Sequence, residues 1–351
     1  MIPIIFPATA KAFGTLGIGA VPEAFSCVVD EVRNQSNILT LEAPLDAMCK
    51  DQLTEGNIIV ADTNERLKKQ PYEIVHTEES LADGRIIVEA QHVAYRLRYS
   101  VTKQISGTTV SQIFTAFKTA ASMIEENDFT FYTDITTSKT ATYNYMSVWD
   151  ALHGTEGSLI DTFGGFIEMD GFTVKLLQRR GQDNGVVVPY GKNLVDLQRV
   201  VDSGDIFNGI LPVYSSGGEI TVVGSVQYSA NTGRYPYKRT EVVDFSEKFG
   251  DTVPTVAQLN SAAASKVNNQ GIPVATIAGE FIPLKSTLDY KDFGALESVA
   301  MDDTVRFYAP RMGIDITTKV VATHWNVLKD RYDSVEVGDV RQTIRQAIAA
   351  I

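Results

Sequence analysis

The chain has 351 residues and a net charge of -12, with a pI of about 4.9. Hydrophobic residues make up 44% and charged residues 21%, as in soluble globular proteins. This length exceeds one ordinary domain and fits two to four. Nucleic-acid-binding proteins usually carry a basic patch, whereas the Lys and Arg here are scattered in an acidic chain, which argues against that class.

Cysteine usage and the N-terminus exclude several further classes. Cys27 and Cys49 lack the CxxC spacing of a metal site, and we expect small buried apolar residues rather than a disulfide. Residues 1–13 have no basic segment followed by a long apolar core, so they do not resemble a signal peptide. No window approaches 18 consecutive apolar residues, so no membrane span is expected, and the chain is expected to fold in a cytoplasm.

The first 104 residues alternate between apolar and polar positions at strand spacing. Turn-forming residues interrupt this pattern about every ten residues, which predicts a small barrel or sandwich. In the hairpin around Asn34–Asn37, we expect Phe25, Cys27 and Val29 to share one face. The predicted strands are Ile2–Phe6, Ala24–Arg33, Ile38–Ala43, Ile58–Ala61, Gln70–Thr77 and Ile86–Ala90.

Residues 105–190 mix helical and strand patterns and are predicted to form an α/β insert. Its first helix spans Ser111–Thr119, with Thr109 or Ser111 as the N-cap. The apolar side of this helix is predicted to comprise Val110, Ile113, Phe114 and Phe117.

A second helix of the insert is predicted over Ser147–Ile160, with Val148, Leu152 and Leu159 facing inward. It is followed by Gly164-Gly165 and two apolar strands joined by Asp170-Gly171. An Asp-Gly pair between strands predicts a hairpin with a type I′ turn, in which both turn residues have positive φ.

The remaining residues predict strands around Ser215–Gly218, a helix at Thr255–Asn268 capped by Thr255, and a second β region. We therefore predict an α+β, multidomain fold with two small β-barrels, an α/β insert and connecting helices. The predicted parts are a first barrel at 1–104, completed by about 191–240, the insert at 105–190, an extended segment and connecting helix at 241–272, a second barrel at 273–338 and a C-terminal helix at 339–351.

Known catalytic motifs are absent: the sequence has no HExxH, GxSxG, P-loop or GxGxxG. His76 lies beside Glu78 and Glu79. These residues form either an acid/base or metal-binding group or a solvated face where a strand runs into a turn. The solvated face is favoured, because Glu is mostly exposed. His92 stands alone and is interpreted as structural.

The other two histidines also have ordinary explanations. His153 and Glu156 have i,i+3 spacing on a helix and offer two metal ligands, but a third ligand is not visible nearby. His324-Trp325 lies in the last β region, where a half-buried His packed on a neighbour is expected.

Clusters of acidic residues and glycines were considered in the same way. Asp302-Asp303 form an acidic patch with Asp289 and Asp292, but no defined separation across a cleft is evident, and Asp251, Asp302 and Asp303 are interpreted as turn residues.

Residues 181–185 resemble a calcium loop without enough Asp/Asn residues or the closing Glu. Gly164-Gly165 precedes a strand rather than a helix, which argues against a phosphate cradle. Lys192 is either an active-site amine or a turn charge, and the turn charge is favoured. No catalytic, cofactor-binding or metal residue is assigned, and no cofactor is predicted.

The residues of the central stretch resemble a known family. That stretch reads VWDALHGTEGSLIDTFGGFIEMDGFTVKLLQRRGQDNGVVVPYGKNL, and it resembles the prophage tail endopeptidases of siphophages infecting Gram-positive bacteria. These proteins are also called tail-associated lysins or minor tail proteins. The resemblance covers essentially the whole chain, and further stretches in the expected order are Ala24–Asn34, Gln70–Ile74, Ile210–Tyr214, Val243–Ser246, Met301–Val305 and Tyr332–Asp339.

This resemblance implies a structural protein with a phage baseplate-hub-like fold. Three subunits would form a homotrimeric ring whose six barrels face the hexameric tail tube or distal tail protein. The tape measure protein is a further implied partner, and genomic DNA would pass through the lumen without specific binding. The implied location is the virion tail tip, assembled in the bacterial host cytoplasm. An acidic lumen would repel the DNA phosphates rather than trap them.

The family name also implies an enzyme, namely a peptidase that acts on peptidoglycan cross-bridges. In longer members this activity usually lies in a C-terminal extension, whereas this chain stops at Ile351, just after the hub module. No catalytic triad, zinc motif or nucleophilic Cys is recognisable. The structural role is therefore carried over, and the cell-wall peptidase is the alternative.

Overall fold

The computed structural model describes residues 1–120, 129–153, 157–189, 194–202, 207–230, 232–234, 236–250, 252–268, 274–281, 299–309 and 314–337. The chain divides into two compact units. The first unit comprises residues 1–198 and 277–351, and the second comprises residues 199–276. The five-part domain scheme stays a prediction, and its C-terminal helix at 339–351 lies outside the described residues.

The N-terminal β region consists of strands that alternate with short turns. They are β1 (Ile4–Phe6), β2 (Gly19–Ala20), β3 (Ser26–Val32), β4 (Asn37–Pro44), β5 (Ile58–Ala61), β6 (Gln70–Ser80) and β7 (Arg85–His92). The predicted β3–β4 hairpin is present, and Cys27 and Val29 are fully buried. Phe25 precedes the strand and is 64% exposed, so its predicted place beside them is wrong.

The insert contains small sheets and short helices. Its elements are β8 (Ile105–Gly107), α1 (Val110–Ala120), β9 (Thr130–Thr133), β10 (Ala141–Tyr143), α2 (Val148–Leu152), α3 (Leu159–Phe163), β11 (Phe166–Asp170) and β12 (Thr173–Leu177). All four residues predicted for the apolar side of α1 are buried. Thr109 is its cap, because its Oγ1 accepts a hydrogen bond from Gln112 N at 3.3 Å.

The helix predicted over Ser147–Ile160 is instead two helices, α2 and α3. Ser147 caps the first and accepts from Asp150 N at 3.0 Å, whereas Ser158 caps the second and accepts from Asp161 N at 3.4 Å. A side-chain cap stabilises a helix start by about 1 kcal/mol, so the second Ser favours a new start over continuation. The three predicted inward residues are nevertheless buried.

The hairpin of the insert has the predicted strands but a different turn. Asp170 pairs with Thr173, so the two-residue loop is Gly171-Phe172. Only Gly171 of these two has positive φ, at 56°. This pattern fits a type II′ turn with Gly at its first central position, so the predicted type I′ turn at Asp170-Gly171 is wrong.

After the insert, the chain continues through the second unit and returns to β structure. Its elements are β13 (Asp183–Pro189), β14 (Leu194–Asp202), β15 (Gly209–Ser216), β16 (Glu219–Val223), β17 (Gln227–Tyr228), β18 (Thr240–Asp244), α4 (Ser246–Phe249), α5 (Val256–Asn268), β19 (Val274–Phe281), β20 (Thr304–Ala309), β21 (Ile314–Asn326) and β22 (Arg331–Val337). Short 3₁₀ helices occur at Lys50–Gln52, Val93–Tyr99 and Thr232–Arg234.

The second unit packs α5 against the four-stranded sheet of β15 to β18. Its helix begins as predicted, since Thr255 Oγ1 accepts from Gln258 N at 3.3 Å and Gln258 Oε1 accepts from Thr255 N at 2.9 Å. The β15–β16 turn is Gly217-Gly218, and both residues have positive φ. The type I′ pattern therefore occurs here, in the other hairpin.

The N-terminal and C-terminal β regions share one sheet. Its 13 strands follow the order β14-β19-β22-β21-β3-β4-β7-β6-β5-β1-β2, with β13 and β20 attached through β21. β21 joins the two regions by pairing antiparallel with β3, from Ala322↔Val32 to Asn326↔Val28. One apolar core includes residues from both regions. The fold is mixed α+β and mostly strands, the pairings among described residues form no closed barrel, and the two-barrel arrangement stays a prediction.

Both cysteines are free, as expected. Cys27 is buried, and this burial raises the pKa of its thiol to about 12, whereas Cys49 is only partly buried. None of the described helices has the length and apolar character needed to cross a membrane.

Candidate functional site

Asp303 is the centre of a buried ionic cluster in the first unit. Its carboxylate forms a bidentate ion pair with Arg66, in which Nη1 donates at 3.1 Å and Nη2 donates at 2.7 Å. The same carboxylate accepts from Gln182 N at 2.7 Å and from Ala300 N at 2.9 Å. The residue is 1% exposed. Four donors therefore compensate the cost of burying this charge.

Asp302 lies beside it in a left-handed turn conformation, with φ of 67°. It contacts Arg33 Nε, and Arg33 Nη2 also donates to Val320 O at 2.9 Å. Arg180 Nη1 lies 3.8 Å from its other oxygen. Burial raises the pKa of the Asp302 carboxyl, while the two arginines oppose that rise.

Arg180 connects the insert to the N-terminal sheet. Its buried guanidinium contacts Glu31, lies 3.4 Å from Glu168 Oε2 and donates to Ile167 O at 3.2 Å. Burial alone would lower the pKa of Arg180, but the negative charges of Glu31, Asp302 and Glu168 outweigh this effect and raise it. This guanidinium therefore stays charged and acts as a fixed cross-link.

The backbone at Gly181 approaches this cluster closely. A Cβ at that position would lie 1.8 Å from Asp302 O, which only glycine avoids. The next residue, Gln182, accepts from Thr304 N at 2.9 Å, where β13 begins to pair with β20. The loop at 181–185, considered above as a calcium loop, is thus mostly the start of β13.

We name the group of Glu31, Arg33, Arg66, Glu168, Arg180, Asp302 and Asp303 the arginine cluster. Its three arginines contact its four carboxylates. Glu31 lies in β3 and Glu168 in β11, and the other residues lie in the connections that follow β3, β5 and β12 and in the segment before β20. Because arginine keeps its proton and the carboxylates are paired, this arrangement holds segments together rather than transferring protons.

Asp302 and Asp303 were predicted to be turn residues in an acidic patch. Asp302 is indeed in a turn, but both are buried and paired with arginine, so the acidic patch is wrong for them. Asp289 and Asp292 lie outside the described residues. The cluster was not predicted from the sequence, although Glu31, Arg180 and both aspartates lie in the stretches that resemble the tail protein family.

His92 holds the insert hairpin against the N-terminal sheet. Its Nδ1 accepts from Ala94 N at 3.2 Å, so the proton resides on Nε2, 3.3 Å from Gln70 Oε1. Gln70 Oε1 also accepts from Gly171 N at 2.6 Å, and Gln70 Nε2 donates to Asp170 at 3.1 Å. Burial lowers the pKa of His92 to about 3, so it is neutral and structural, as interpreted.

His324 lies in a second charged group, which we name the histidine cluster. On β21, its Nδ1 contacts Asp30 of β3, and its Nε2 lies 3.8 Å from Glu336 Oε1 of β22. The hydrogen bond to Asp30 and then the nearby Glu336 carboxylate raise the pKa of His324 to about 9. This histidine is therefore protonated at neutral pH and 34% exposed, a charged cross-strand contact rather than a simple packed ring.

The remaining candidates are not brought into one site. His153 is buried against Trp149, donates from Nδ1 to its carbonyl at 2.9 Å, and has its pKa lowered by burial. Since a carbonyl accepts, His153 Nδ1 carries the proton. Its predicted partner Glu156 lies outside the described residues, and so does Lys192.

His76 lies inside β6, which continues to Ser80, so the predicted strand end at this point is wrong. Its side chain is exposed, in agreement with a solvated face, and Glu79 pairs with Lys50 at 2.8 Å. Gly164 ends α3 with φ of 74°, and β11 follows. Among the described residues, no group of His, Cys, Asp and Glu has the geometry of a metal site.

Comparison with known proteins supports the resemblance found in the sequence. Residues 182–348 match the family described as "Prophage endopeptidase tail". The resemblance to the prophage tail family is confirmed. The matched residues include Asp302 and Asp303 of the arginine cluster, Gln182, which contacts that cluster, and His324 of the histidine cluster. No curated protein sequence matches the chain.

Three solved tail proteins share the fold over nearly their whole length. They are prophage tail protein gp18 from Listeria monocytogenes EGD-e (14% identity, TM-score 0.61, 99% of this chain and 98% of that one), the tail protein from Neisseria meningitidis MC58 (11%, 0.59, 96% and 96%) and the 43 kDa tail protein of prophage MuSo2 from Shewanella oneidensis (10%, 0.57, 96% and 98%). At such low identity, this likeness shows the fold. For a prophage tail protein, the virion tail is the corresponding location.

Proposed function

We propose that this prophage tail protein is a structural hub at the tail tip, which closes the distal end of the tail tube and opens for DNA passage. The observation that carries the proposal is the agreement of fold over at least 96% of both chains with three tail proteins, two of them described as prophage proteins. The family match of residues 182–348 supports it independently of structure.

The chemistry of the arginine cluster suits a structural role. Its ion pairs connect segments from residue 31 to residue 303, and only Asp302 Oδ2 among its described carboxylate oxygens lacks a hydrogen-bond partner. Removing one partner of a buried ion pair is strongly destabilising. The cluster therefore favours a single arrangement of the segments that it joins.

We further propose a homotrimer whose two β regions per subunit act as two barrel-like modules, so that six modules face the sixfold tail tube. The distal tail protein and the tape measure protein are the proposed neighbours, at the virion tail tip, after assembly in the host cytoplasm. The chain's charge of -12 supports a lumen that repels DNA phosphate and binds no sequence.

Light scattering coupled to size-exclusion chromatography tests the hub. We expect a particle of three times the 38.4 kDa chain mass that binds purified distal tail protein, and electron microscopy should show a ring with a central channel. A monomer at every concentration, together with no binding to the distal tail protein, would overturn the proposal.

Zymography on Gram-positive cell walls tests the peptidase alternative. We expect no clearing by the purified chain. Clearing that disappears in His76→Ala or His153→Ala would replace the structural assignment with an enzymatic one. His76→Ala is the cleaner variant, because His76 is exposed whereas His153 packs on Trp149.

A further inference from the structure

The insert has an open strand edge at β9. Its three-stranded sheet has the order β11-β12-β9, so among the described strands β9 has a neighbour on one side only. Thr130 N donates to Phe172 O at 2.9 Å, which directs the backbone of Thr130 towards β12. Successive residues of a strand point their backbone groups to alternate sides. The N–H and C=O groups of Phe131 and Thr133 therefore point away from β12.

These outward groups have no backbone partner among the residues that the structure describes. An unpaired edge of this kind is a template for another strand. Since Phe131 and Thr133 each offer one N–H and one C=O, an antiparallel strand would form two hydrogen-bonded pairs with this edge.

A cleft with a volume of about 320 Å³ lies between this edge and α1. All of Thr130–Thr133 lines one side. The other side is formed by two rows of α1 at i,i+4 spacing, namely Ser111, Thr115 and Thr119, and Phe114 and Lys118. The rings of Phe114 and Phe131 lie 5.3 Å apart and hold the helix beside the strand.

A helix beside an open strand edge is an arrangement that accepts an extended peptide as an added strand. Hydrogen bonds to the backbone groups of the edge provide affinity, while the side chains of the helix select among peptides by their side chains. Among the residues that the structure describes, Lys118 is the one charged residue that lines this cleft, and it is exposed. In a chain of net charge -12, this positive group favours an acidic segment.

We propose that the cleft between α1 and β9 binds an extended, acidic peptide segment of a partner protein, which adds a fourth strand to the β11-β12-β9 sheet. The segment pairs with Phe131 and Thr133 through its backbone and places a carboxylate near Lys118. This binding site stands independently of the hub assignment, because it depends only on the insert.

Fluorescence polarisation with labelled peptides tests the site. The first probe is the hexapeptide Thr-Val-Glu-Val-Thr-Val, and the second has Lys in place of Glu. With the full chain titrated to about 0.2 mM, we expect the acidic peptide to bind about threefold or more tightly than the basic one. Two control peptides are N-methylated at alternate residues, one in each of the two possible registers. The peptide whose methyl groups replace the amide hydrogens that face the edge cannot pair with it and should not bind.

Variants separate the strand edge from the charge. Thr133→Pro removes an outward N–H and spares the pairing to β12, since proline is tolerated at an open edge. We expect it to weaken binding about tenfold. Lys118→Ala should weaken binding of the acidic peptide about threefold. Lys103→Ala, which changes an exposed lysine that precedes the insert and does not line the cleft, is the control and should change nothing.

Residue-resolved hydrogen exchange of the wild-type chain provides a test that needs no variant. On addition of the acidic peptide, the amides of Phe131 and Thr133 should exchange more slowly, while those of Thr130 and Tyr132 should not change. The proposal is overturned if neither peptide binds, if both N-methylated registers bind as well as the parent, or if protection arises away from β9.

Discussion

Two charged clusters bridge the N-terminal and C-terminal parts of the first unit, and they do so in opposite ways. In the arginine cluster the carboxylates of Glu31, Asp302 and Asp303 and the guanidinium of Arg180 are buried, Arg66 is partly exposed, and Asp303 has four donors. The histidine cluster is about a third exposed and centres on a titratable ring between Asp30 and Glu336. The contribution of the arginine cluster to stability should therefore change little with pH and salt concentration, whereas that of the histidine cluster should change with both.

The largest expected effect is in the arginine cluster. Asp303→Asn removes a buried charge and leaves two backbone N–H groups and the partly exposed Arg66 poorly satisfied, so we expect a loss of about 2–4 kcal/mol in the free energy of unfolding. Urea unfolding followed by tryptophan fluorescence measures it, because Trp149 and Trp325 both lie in the first unit.

Asp330→Asn is the matched control for that variant. Asp330 is 63% exposed and pairs with Lys68 at 3.2 Å, so its loss should cost less than about 1 kcal/mol. Equal losses for the two variants would contradict the assigned role of Asp303. Protein concentration must be held constant, because association shifts apparent stability.

A slightly smaller effect is expected from Gly181→Ala. The added Cβ would clash with the backbone of Asp302, so the segment must shift, at a cost of about 1–3 kcal/mol. The same unfolding experiment checks it. Gly14→Ala meets no atom within 4 Å and should leave stability nearly unchanged. A stable Gly181→Ala protein would show that the close approach is dispensable.

The histidine cluster predicts a pH dependence. The pKa of His324 is raised from 6.5 to about 9, so folding favours its protonated form. Its contribution should be complete below pH 6.5 and decline as pH rises towards about 9. Because the ring is 34% exposed, we expect about 1 kcal/mol after solvent screening.

Comparison with His324→Gln isolates this contribution from other groups that titrate in the same window. The stability difference between wild type and His324→Gln should be largest at about pH 6 and vanish at about pH 10. A difference that is constant with pH would mean that His324 contributes packing rather than charge.

The smallest expected effect is a change with salt. At about 1 M NaCl the screening length falls to about 3 Å, which weakens exposed charge pairs far more than buried ones. The His324→Gln difference at pH 6 should therefore shrink by about half, while the Asp303→Asn difference should change little. Equal salt sensitivity would remove the distinction between the clusters.

Periodic patterns predicted the local structure well. The apolar side of α1, the capping of α5 by Thr255 and the β3–β4 hairpin follow from side-chain spacing and short-range hydrogen bonds. Errors arose where two local signals competed. Ser158 starts a new helix inside an apparently continuous one, and the Asp-Gly pair is displaced by one residue, so that Gly171-Phe172 forms the turn.

The arginine cluster could not be predicted because its contacts join residues far apart in the chain. Arg66 and Asp303 are separated by 237 positions, and Arg180 and Glu31 by 149. No spacing rule connects such residues, and isolated acidic pairs are usually exposed. The opposite charges of Arg179-Arg180 and Asp302-Asp303, each beside an apolar strand, were the available signal.

The pairing of β21 with β3 has a consequence for how the chain reaches its native state. The two strands are separated by nearly 300 positions, as His324 and Asp30 show with a separation of 294. During synthesis, β3 must wait with one edge unpaired until β21 has left the ribosome. Such non-local pairing slows folding. Until β21 pairs with it, β3 has an unpaired edge that can pair with strands of other chains. Chains terminated before residue 314 should therefore aggregate rather than fold, because nothing covers that edge.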